Sequence, residues 1–208
     1  MQIEAHTPGK HVIAIQFVIR HSSFSMTAWK KVAQKTRVPA GTVLGVVFLF
    51  LIYIKGPSAR SLWIGGTIAL AGALLRLWAA GHIEKGKVLT QGGPYAFTRN
   101  PLYLGSFFMA LGIIIAGQGY WLLIPFGVFF LLFYYPVMRA EEQELFSGYG
   151  DKFLEYSERV PLFVPGFPKA GGDSSTFMWS RVIRNREHRT MTGLILAVAL
   201  LFVLNLIR

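Results

Sequence analysis

Long uncharged apolar stretches dominate the pattern of hydrophobic and polar positions along the chain. A membrane-spanning helix needs about 20 mostly apolar residues, whereas a soluble amphipathic helix repeats its apolar positions every three or four residues. The stretches here follow the first pattern, and flanking polar residues would extend the shorter ones. The predicted fold class is an all-α integral membrane protein with about five transmembrane helices. The predicted spans are residues 39–54, 62–81, 102–116, 121–138 and 191–207.

The third and fourth spans are joined only by residues 117–120, whose sequence is Gly-Gln-Gly-Tyr. So short a connection between two helices predicts a tight antiparallel helical hairpin. The hairpin would bring the polar segment before the third span and the polar segment after the fourth span to the same face of the membrane.

Residues 1–37 form a basic segment ahead of the first span. Its apolar stretch is short and is followed by Arg20 rather than by a small-residue cleavage site, so a cleavable signal peptide is not expected. Residues 26–37 are compatible with a helix on the membrane surface and equally with a disordered basic arm. The chain is predicted to divide into this segment and a transmembrane domain over 38–208, with its motifs within 82–165.

Composition and charge agree with a membrane protein, because 53% of the residues are hydrophobic, 15% are charged and the mean hydropathy is +0.45. The formal net charge of +11 lies mostly just outside the apolar stretches, where basic residues meet anionic lipid headgroups. Nucleic-acid binding is therefore not expected. The positive-inside rule predicts a cytoplasmic N-terminus and places polar loops 82–101 and 139–190 in the cytoplasm. Cysteine is absent and the histidines lack metal-ligand spacing, so no metal site is expected.

The first polar segment combines a backbone turn with a cation at the start of a helix. Residues 92–94, Gly-Gly-Pro, form a turn that lets the main chain approach a ligand closely. Arg99 precedes a helix that Pro101 opens, and a helix N-terminus beside an arginine is a natural carboxylate site. Arg99 by itself also fits a positive-inside anchor.

The second polar segment holds the cluster of acids in a chain with only 10 Asp and Glu. Glu141 and Glu142 lie at the membrane edge, where a carboxylate needs a partner or a cationic ligand. The solvated face of the following helix is assigned to Glu144, Asp151, Glu155 and Glu158. Opposite charges at one membrane face suit a small zwitterionic or cationic ligand.

Residues 60–165 resemble the isoprenylcysteine carboxyl methyltransferases and the related bacterial and phospholipid methyltransferases of the membrane. Each motif is weak alone, and the signal lies in their order on either side of the hairpin. The motifs are Gly93-Pro94-Tyr95, Arg99-Asn100-Pro101 with Tyr103 and Gly105, and then Glu141-Glu142, Leu145, Gly150, Tyr156 and Val160-Pro161. The resemblance implies S-adenosylmethionine-dependent methyl transfer in a bacterial inner membrane, with the cofactor in a cytosolic surface pocket rather than on a Rossmann sheet.

The resemblance also implies which residues form the site. The implied cofactor-binding residues are His82, Gln91, Gly92, Gly93, Pro94, Tyr95, Arg99, Asn100, Tyr103 and Glu142. The implied catalytic residues are Arg99, Glu141 and Glu142, with either glutamate able to meet the cofactor or the reactive end of the acceptor. The better-known eukaryotic members have histidine in place of Asn100, and asparagine does not act as a base. A mechanism that depends on that histidine does not transfer to this chain.

The chemistry requires alignment more than acid–base strength, because the sulfonium leaving group drives methyl transfer. For a carboxylate acceptor Arg99 would orient the nucleophile, and for an amine Glu141 or Glu142 would take the proton. The expected partner is a lipophilic or amphiphilic acceptor that enters between helices, besides the membrane lipids. The sequence leaves the acceptor's identity and the oligomeric state open.

Two alternatives belong to other functional classes: a membrane reductase of the sterol type that uses NADPH, and a small transporter. Transporters usually carry polar groups at the membrane midplane on broken, repeated helices, and the spans here are nearly uncharged without an evident repeat. Arg76, late in the second span, is expected to extend towards the inner surface, with a cofactor contact as its alternative role.

Overall fold

The computed structural model describes residues 43, 45, 47–48, 56–84, 88–167 and 175–207. These residues contain helices and connecting segments, with no strand among them. The basic segment 1–37 and most of the predicted span 39–54 lie outside the described residues. The α-helices are α1 (Ala59–His82), α2 (Pro101–Ala116), α3 (Leu123–Tyr149), α4 (Asp151–Arg159), α5 (Trp179–Arg184) and α6 (Glu187–Leu206). Short 3₁₀ helices occupy Gly93–Ala96 and Tyr120–Leu122.

Three described helical stretches are long and apolar enough to cross a membrane: α1, α6, and α3 together with the 3₁₀ turn before it. The shorter α2 is also apolar. These helices coincide with four of the predicted spans, so the all-α membrane fold class is confirmed. Helix α3 continues past the predicted end at residue 138 to Tyr149. The residues that follow its apolar part include Arg, Ala, Glu and Gln, which are good helix formers.

Helices α1 and α2 pack closely along a stripe of small residues. Gly65 and Gly72 of α1 face Gly112 and Gly105 of α2, and a Cβ added at Gly72 would lie 2.6 Å from the Gly105 carbonyl oxygen. In lipid the hydrophobic effect does not hold helices together, so close backbone packing takes its place. A larger side chain at this contact would separate the two helices.

The predicted hairpin between α2 and α3 is present. Helix α2 ends at Gly117, and Gln118 adopts a left-handed backbone conformation with φ of 56°. The amide of Gly119 then donates to the Ile114 carbonyl at 2.9 Å, which caps α2 and reverses the chain. Helix α3 returns to the level of the segment before α2, so both polar segments meet at one end of the bundle, as predicted.

The segment around α5 folds back against the end of α1. The Met178 amide donates to the Gly81 carbonyl at 3.0 Å, and the Asn185 side-chain amide donates to the Ala80 carbonyl at 2.9 Å. Arg186, with φ of 58°, turns the chain into α6. The start of α6 therefore lies at the same end of the bundle as the polar segments.

Candidate active site

A polar cavity of about 620 Å³ lies at the end of the bundle where the polar segments meet. This volume is typical of a small-molecule site. Helices α1, α2, α3, α4 and the start of α6 all contribute to its wall. Its charged lining residues, within the described part of the chain, are Glu84, Glu141, Glu142, Glu144, Glu187, Arg76 and Arg99. Carboxylates outnumber guanidinium groups in this lining, but Arg139 pairs with Glu142, and Arg181 and Arg184 pair with Glu84, so the charges around the cavity nearly balance.

Glu142 forms an ion pair with Arg99 in the wall of the polar cavity. One oxygen lies 2.8 Å from Arg99 Nη2, and the other accepts from Arg139 Nη1 at 2.6 Å. The residue is only 4% exposed. Burial lowers the pKa of the Arg99 guanidinium below its usual value, and the neighbouring Glu142 carboxylate only partly opposes this shift. Because both of its oxygens are engaged by cations, Glu142 is suited to holding Arg99 in place.

Glu141 makes a different contact from its neighbour. Its Oε1 accepts a hydrogen bond from the Tyr103 hydroxyl at 2.7 Å, and the Tyr103 ring packs edge-on against Tyr134 with 5.7 Å between ring centroids. All three side chains line the polar cavity. The structure thus distinguishes two glutamates that the sequence left equivalent. Glu142 forms ion pairs with Arg99 and Arg139, and Glu141 accepts a hydrogen bond from Tyr103.

Besides Glu142 Oε1, which is ion-paired with Arg99, three lining residues carry buried polar atoms without a hydrogen-bond partner among the described residues: Thr90 Oγ1, Tyr95 Oη and Arg99 Nε. An unsatisfied buried polar atom costs about 1–3 kcal/mol, so each indicates a missing partner. Burial raises the pKa of the Tyr95 phenol well above its usual value, so the hydroxyl remains a donor. Unsatisfied donors beside carboxylates match a ligand that has both an anionic and a cationic group.

The predicted site residues divide into two groups. Those that line the polar cavity are Tyr95, Arg99, Asn100, Tyr103, Glu141 and Glu142. Those that do not line it are His82, Gln91, Gly92, Gly93 and Pro94. The second group surrounds the turn that positions Tyr95, so its proposed role in cofactor binding stays a prediction.

The second group makes supporting contacts around that turn. The His82 ring nitrogen Nδ1 lies 2.9 Å from the Trp78 carbonyl oxygen. Gly93 has φ of +58°, and a Cβ there would lie 2.5 Å from His82 Cδ2, so both its conformation and its lack of a side chain are needed. The Gln91 side-chain oxygen accepts from Arg159 Nη2 at 3.0 Å. These contacts hold the loop against α1 and α4.

Asn100 is at the cavity, but its side-chain amide is already engaged. Its Nδ2 donates to the Leu162 carbonyl at 3.0 Å. The neighbouring Arg99 amide donates to the Pro161 carbonyl, also at 3.0 Å. The Arg-Asn-Pro motif is therefore joined by hydrogen bonds to the Val-Pro motif after α4 and to the residue that follows it.

Two buried residues of the wall, Thr90 and Glu187, were not predicted from the sequence. Arg76 lines the polar cavity, which agrees with its alternative role as a cofactor contact rather than with a position at the inner surface. The Arg76 guanidinium does not extend to the surface: its Nε and Nη2 contact both oxygens of Glu187 at 3.0 and 2.6 Å. A cation inside an apolar stretch is itself a functional signal. The sequence contained no comparable indication for its partner, Glu187, because Glu187 lies 111 positions further along the chain.

A second cavity of about 230 Å³ lies between α2 and α3 and is almost entirely apolar. Ser106 and Tyr134 line both this cavity and the polar cavity. Its lining residues are Gly45, Phe48, Ser106, Ala110, Ile113, Ile114, Leu122, Phe126, Phe129, Phe130 and Tyr134. A polar site and an apolar site therefore adjoin within the bundle.

The fold and the site define an integral membrane protein with a ligand cavity at one end of its helical bundle. Residues 72–152 match the phospholipid methyltransferase family. The resemblance predicted from the motifs is therefore confirmed over this segment of the chain. No solved structure gives a significant match to the chain.

Three curated relatives share parts of this sequence. The cobalt-zinc-cadmium resistance protein CzcN of Cupriavidus metallidurans is 32% identical over 114 residues, which cover 54% of this chain and 51% of that protein. The protein-S-isoprenylcysteine O-methyltransferase of Schizosaccharomyces pombe is 31% identical over 41% of this chain and 36% of its own length. The protein of the same name from Saccharomyces cerevisiae is 30% identical over 40% and 37%. The chain thus spans about half or less of the length of these relatives.

Proposed function

We propose that the protein transfers a methyl group from S-adenosylmethionine to the polar head of a lipophilic acceptor at the cytoplasmic membrane face. The observation that carries this proposal is the pair of adjoining cavities, one polar and one apolar, which share Ser106 and Tyr134. A polar cofactor and an acceptor with an apolar tail would then meet at these two side chains. The family match over residues 72–152 supports the reaction class.

S-adenosylmethionine supplies an activated methyl group on a sulfonium. In the polar cavity, Tyr95 Oη and Arg99 Nε have free donors for an anionic group, and Thr90 Oγ1 is a further unpartnered hydroxyl. Carboxylates of the wall can lie beside a sulfonium and an ammonium group. The protein's part in catalysis is to hold and align the reactants and to exclude water.

Among acceptor heads, the ion pairing favours an amine over a carboxylate. Both arginines of the described wall are already bound by carboxylates, Arg99 by Glu142 and Arg76 by Glu187. An anionic head would have to compete with these internal partners. For an amine acceptor, S-adenosylmethionine would supply the methyl group and leave as S-adenosylhomocysteine, and Glu141 would accept the amine proton.

Ligand binding by the purified full-length protein in detergent tests the reaction class. We expect S-adenosylhomocysteine to bind with micromolar affinity in calorimetry and NADPH not to bind. Arg99→Ala should weaken homocysteine-analogue binding at least ten-fold, whereas Ser147→Ala, an exposed change on α3 whose hydroxyl bonds only its own helix, should not. NADPH binding without binding of the analogue would refute the proposal in favour of a reductase.

The cytoplasmic location of the cavity rests on the positive-inside rule and has a direct test. Because the chain has no cysteine, single cysteines report orientation without background. Glu155 is exposed at the cavity end of the bundle and Tyr120 is 52% exposed at the opposite end. A membrane-impermeant maleimide added to intact cells should label Tyr120→Cys and spare Glu155→Cys. The reverse pattern would place the site on the outer face.

A further inference from the structure

The Arg76–Glu187 ion pair in the wall of the polar cavity takes no part in the methyl-transfer step itself. Arg76 and Glu187 contact each other through two nitrogens and two oxygens, with side chains only 16% and 5% exposed. The remaining Arg76 nitrogen, Nη1, donates to the Leu102 carbonyl at 3.1 Å and to Ser106 Oγ at 2.5 Å. Every nitrogen of the guanidinium is therefore bound, and the group is fixed in one position.

The position of this ion pair is next to the junction of the two cavities. Ser106 lines both of them, so Arg76 is one hydrogen bond away from the side chain where polar and apolar space meet. The path of Arg76 across α2 requires glycine, because a Cβ at Gly105 would lie 2.5 Å from Arg76 Cγ. The packing of α1 against α2 thus places the Arg76 guanidinium next to the junction of the two cavities.

The counter-charge comes from a part of the chain outside the family match. Arg76 belongs to the matched segment 72–152, whereas Glu187 is the first residue of α6. The left-handed Arg186 directs the chain so that Glu187 is buried at the start of the helix, where a carboxylate is favoured by the helix dipole. A segment outside the family region therefore sets the net charge beside the junction.

We propose that Glu187 is a specificity-determining residue, which neutralises Arg76 and so prevents an anionic head group from binding where the two cavities meet. The proposal rests on the proposed function of the cavities as the sites of cofactor and acceptor. With Glu187 in place, the junction accepts neutral or cationic heads. Without it, an uncompensated guanidinium beside Ser106 would bind a carboxylate head through charge-assisted hydrogen bonds.

The test compares two amphiphiles that differ only in their head group, dodecanoate and dodecylamine. Their binding to the purified full-length protein is measured with radiolabelled probes at pH 8 in one detergent, so that micelle partitioning cancels between variants. Glu187→Gln should raise the dodecanoate-to-dodecylamine affinity ratio at least about ten-fold, since the net charge beside the head group rises from zero to +1. Arg76→Gln, which leaves the carboxylate uncompensated, should shift the ratio in the opposite direction.

The control is Ser61→Ala, which removes another buried contact between α1 and α2, from Ser61 Oγ to the Ala116 carbonyl, neither of which lines a cavity. It should leave the ratio unchanged. Binding of S-adenosylhomocysteine is measured on the same preparations. Retained analogue binding with an unchanged ratio in both charge variants would overturn the proposal for Glu187 alone. No analogue binding to the unsubstituted protein, with opposite ratio shifts in the variants, would overturn the methyl-transfer function and leave the charge selection standing.

Discussion

Replacing Glu142 and Glu141 one at a time with glutamine separates the roles that the structure gives to two adjacent carboxylates. Glu142 contacts Arg99 at 2.8 Å and Arg139 at 2.6 Å and is nearly inaccessible. Glu141 accepts a hydrogen bond from Tyr103 at 2.7 Å. Glutamine has nearly the same shape as glutamate, so each variant removes the charge with little change in packing. The two variants therefore differ in the interaction that the carboxylate makes: ion pairs with arginines for Glu142 and a hydrogen bond from Tyr103 for Glu141.

The expected loss of stability differs between the two positions. Removing one partner of a buried ion pair costs about 3–5 kcal/mol, and the remaining glutamine oxygen still accepts one charge-assisted bond, so Glu142→Gln should cost about 2–3 kcal/mol. For a chain of this size that lowers the unfolding midpoint by roughly 5–10 °C. Glu141→Gln keeps the Tyr103 bond and should cost less than about 1 kcal/mol.

Thermal unfolding in detergent, cofactor-analogue calorimetry and a methyl-transfer assay together form the test. Glu142→Gln should unfold earlier and bind the analogue more weakly, because Arg99 loses its anchor. Glu141→Gln should unfold and bind like the unsubstituted protein but transfer methyl groups to amines about 10²–10⁴-fold more slowly. If Glu141→Gln retains full transfer while Glu142→Gln stays stable but inactive, the assignment of the two roles is wrong.

Further predictions concern the helix contact, the cavity wall and the Arg-Asn-Pro motif. Gly72→Leu should prevent a monodisperse preparation in size-exclusion chromatography, whereas Gly66→Ala, with open space around its Cβ, should not. Tyr95→Phe should weaken S-adenosylhomocysteine binding about five- to ten-fold in calorimetry, since it removes an unpaired donor. Because burial raises the pKa of Tyr95, its ionisation opposes folding only above about pH 10; the stability difference between Tyr95→Phe and the unsubstituted protein should be constant below that pH and should grow in favour of the variant above it. Asn100→Ala, which loses the bond to the Leu162 carbonyl, should lower the free energy of unfolding by about 1 kcal/mol.

Hydropathy was sufficient to predict the four described spans, because a lipid-facing helix needs only a run of apolar residues of the right length. It was not sufficient for the end of α3, which extends to Tyr149 through polar residues that have high helix propensity. The hairpin was predictable for a related reason: residues 117–120 are too few to do anything except reverse the chain.

The candidate site was predictable where motif residues lie next to the helix ends and not where distant segments meet. Arg99 and the two glutamates were found because the hairpin fixes their proximity. The position of Arg76 was not settled by the sequence, since its course depends on Gly105 making room for it across α2. Glu187 left no signal, because nothing local to the start of α6 specifies a partner so far away in the chain.

The apolar cavity between α2 and α3 has a consequence for how the reaction rate depends on concentration. A tail-bearing acceptor held at Phe126 and Phe130 would be drawn from the bilayer, whereas the cofactor would be drawn from water. The effective concentration of the acceptor would then be its mole fraction in the lipid, whereas that of the cofactor would be its molarity in water. Adding inert lipid at constant total acceptor should slow the enzyme by surface dilution and leave its dependence on cofactor molarity unchanged.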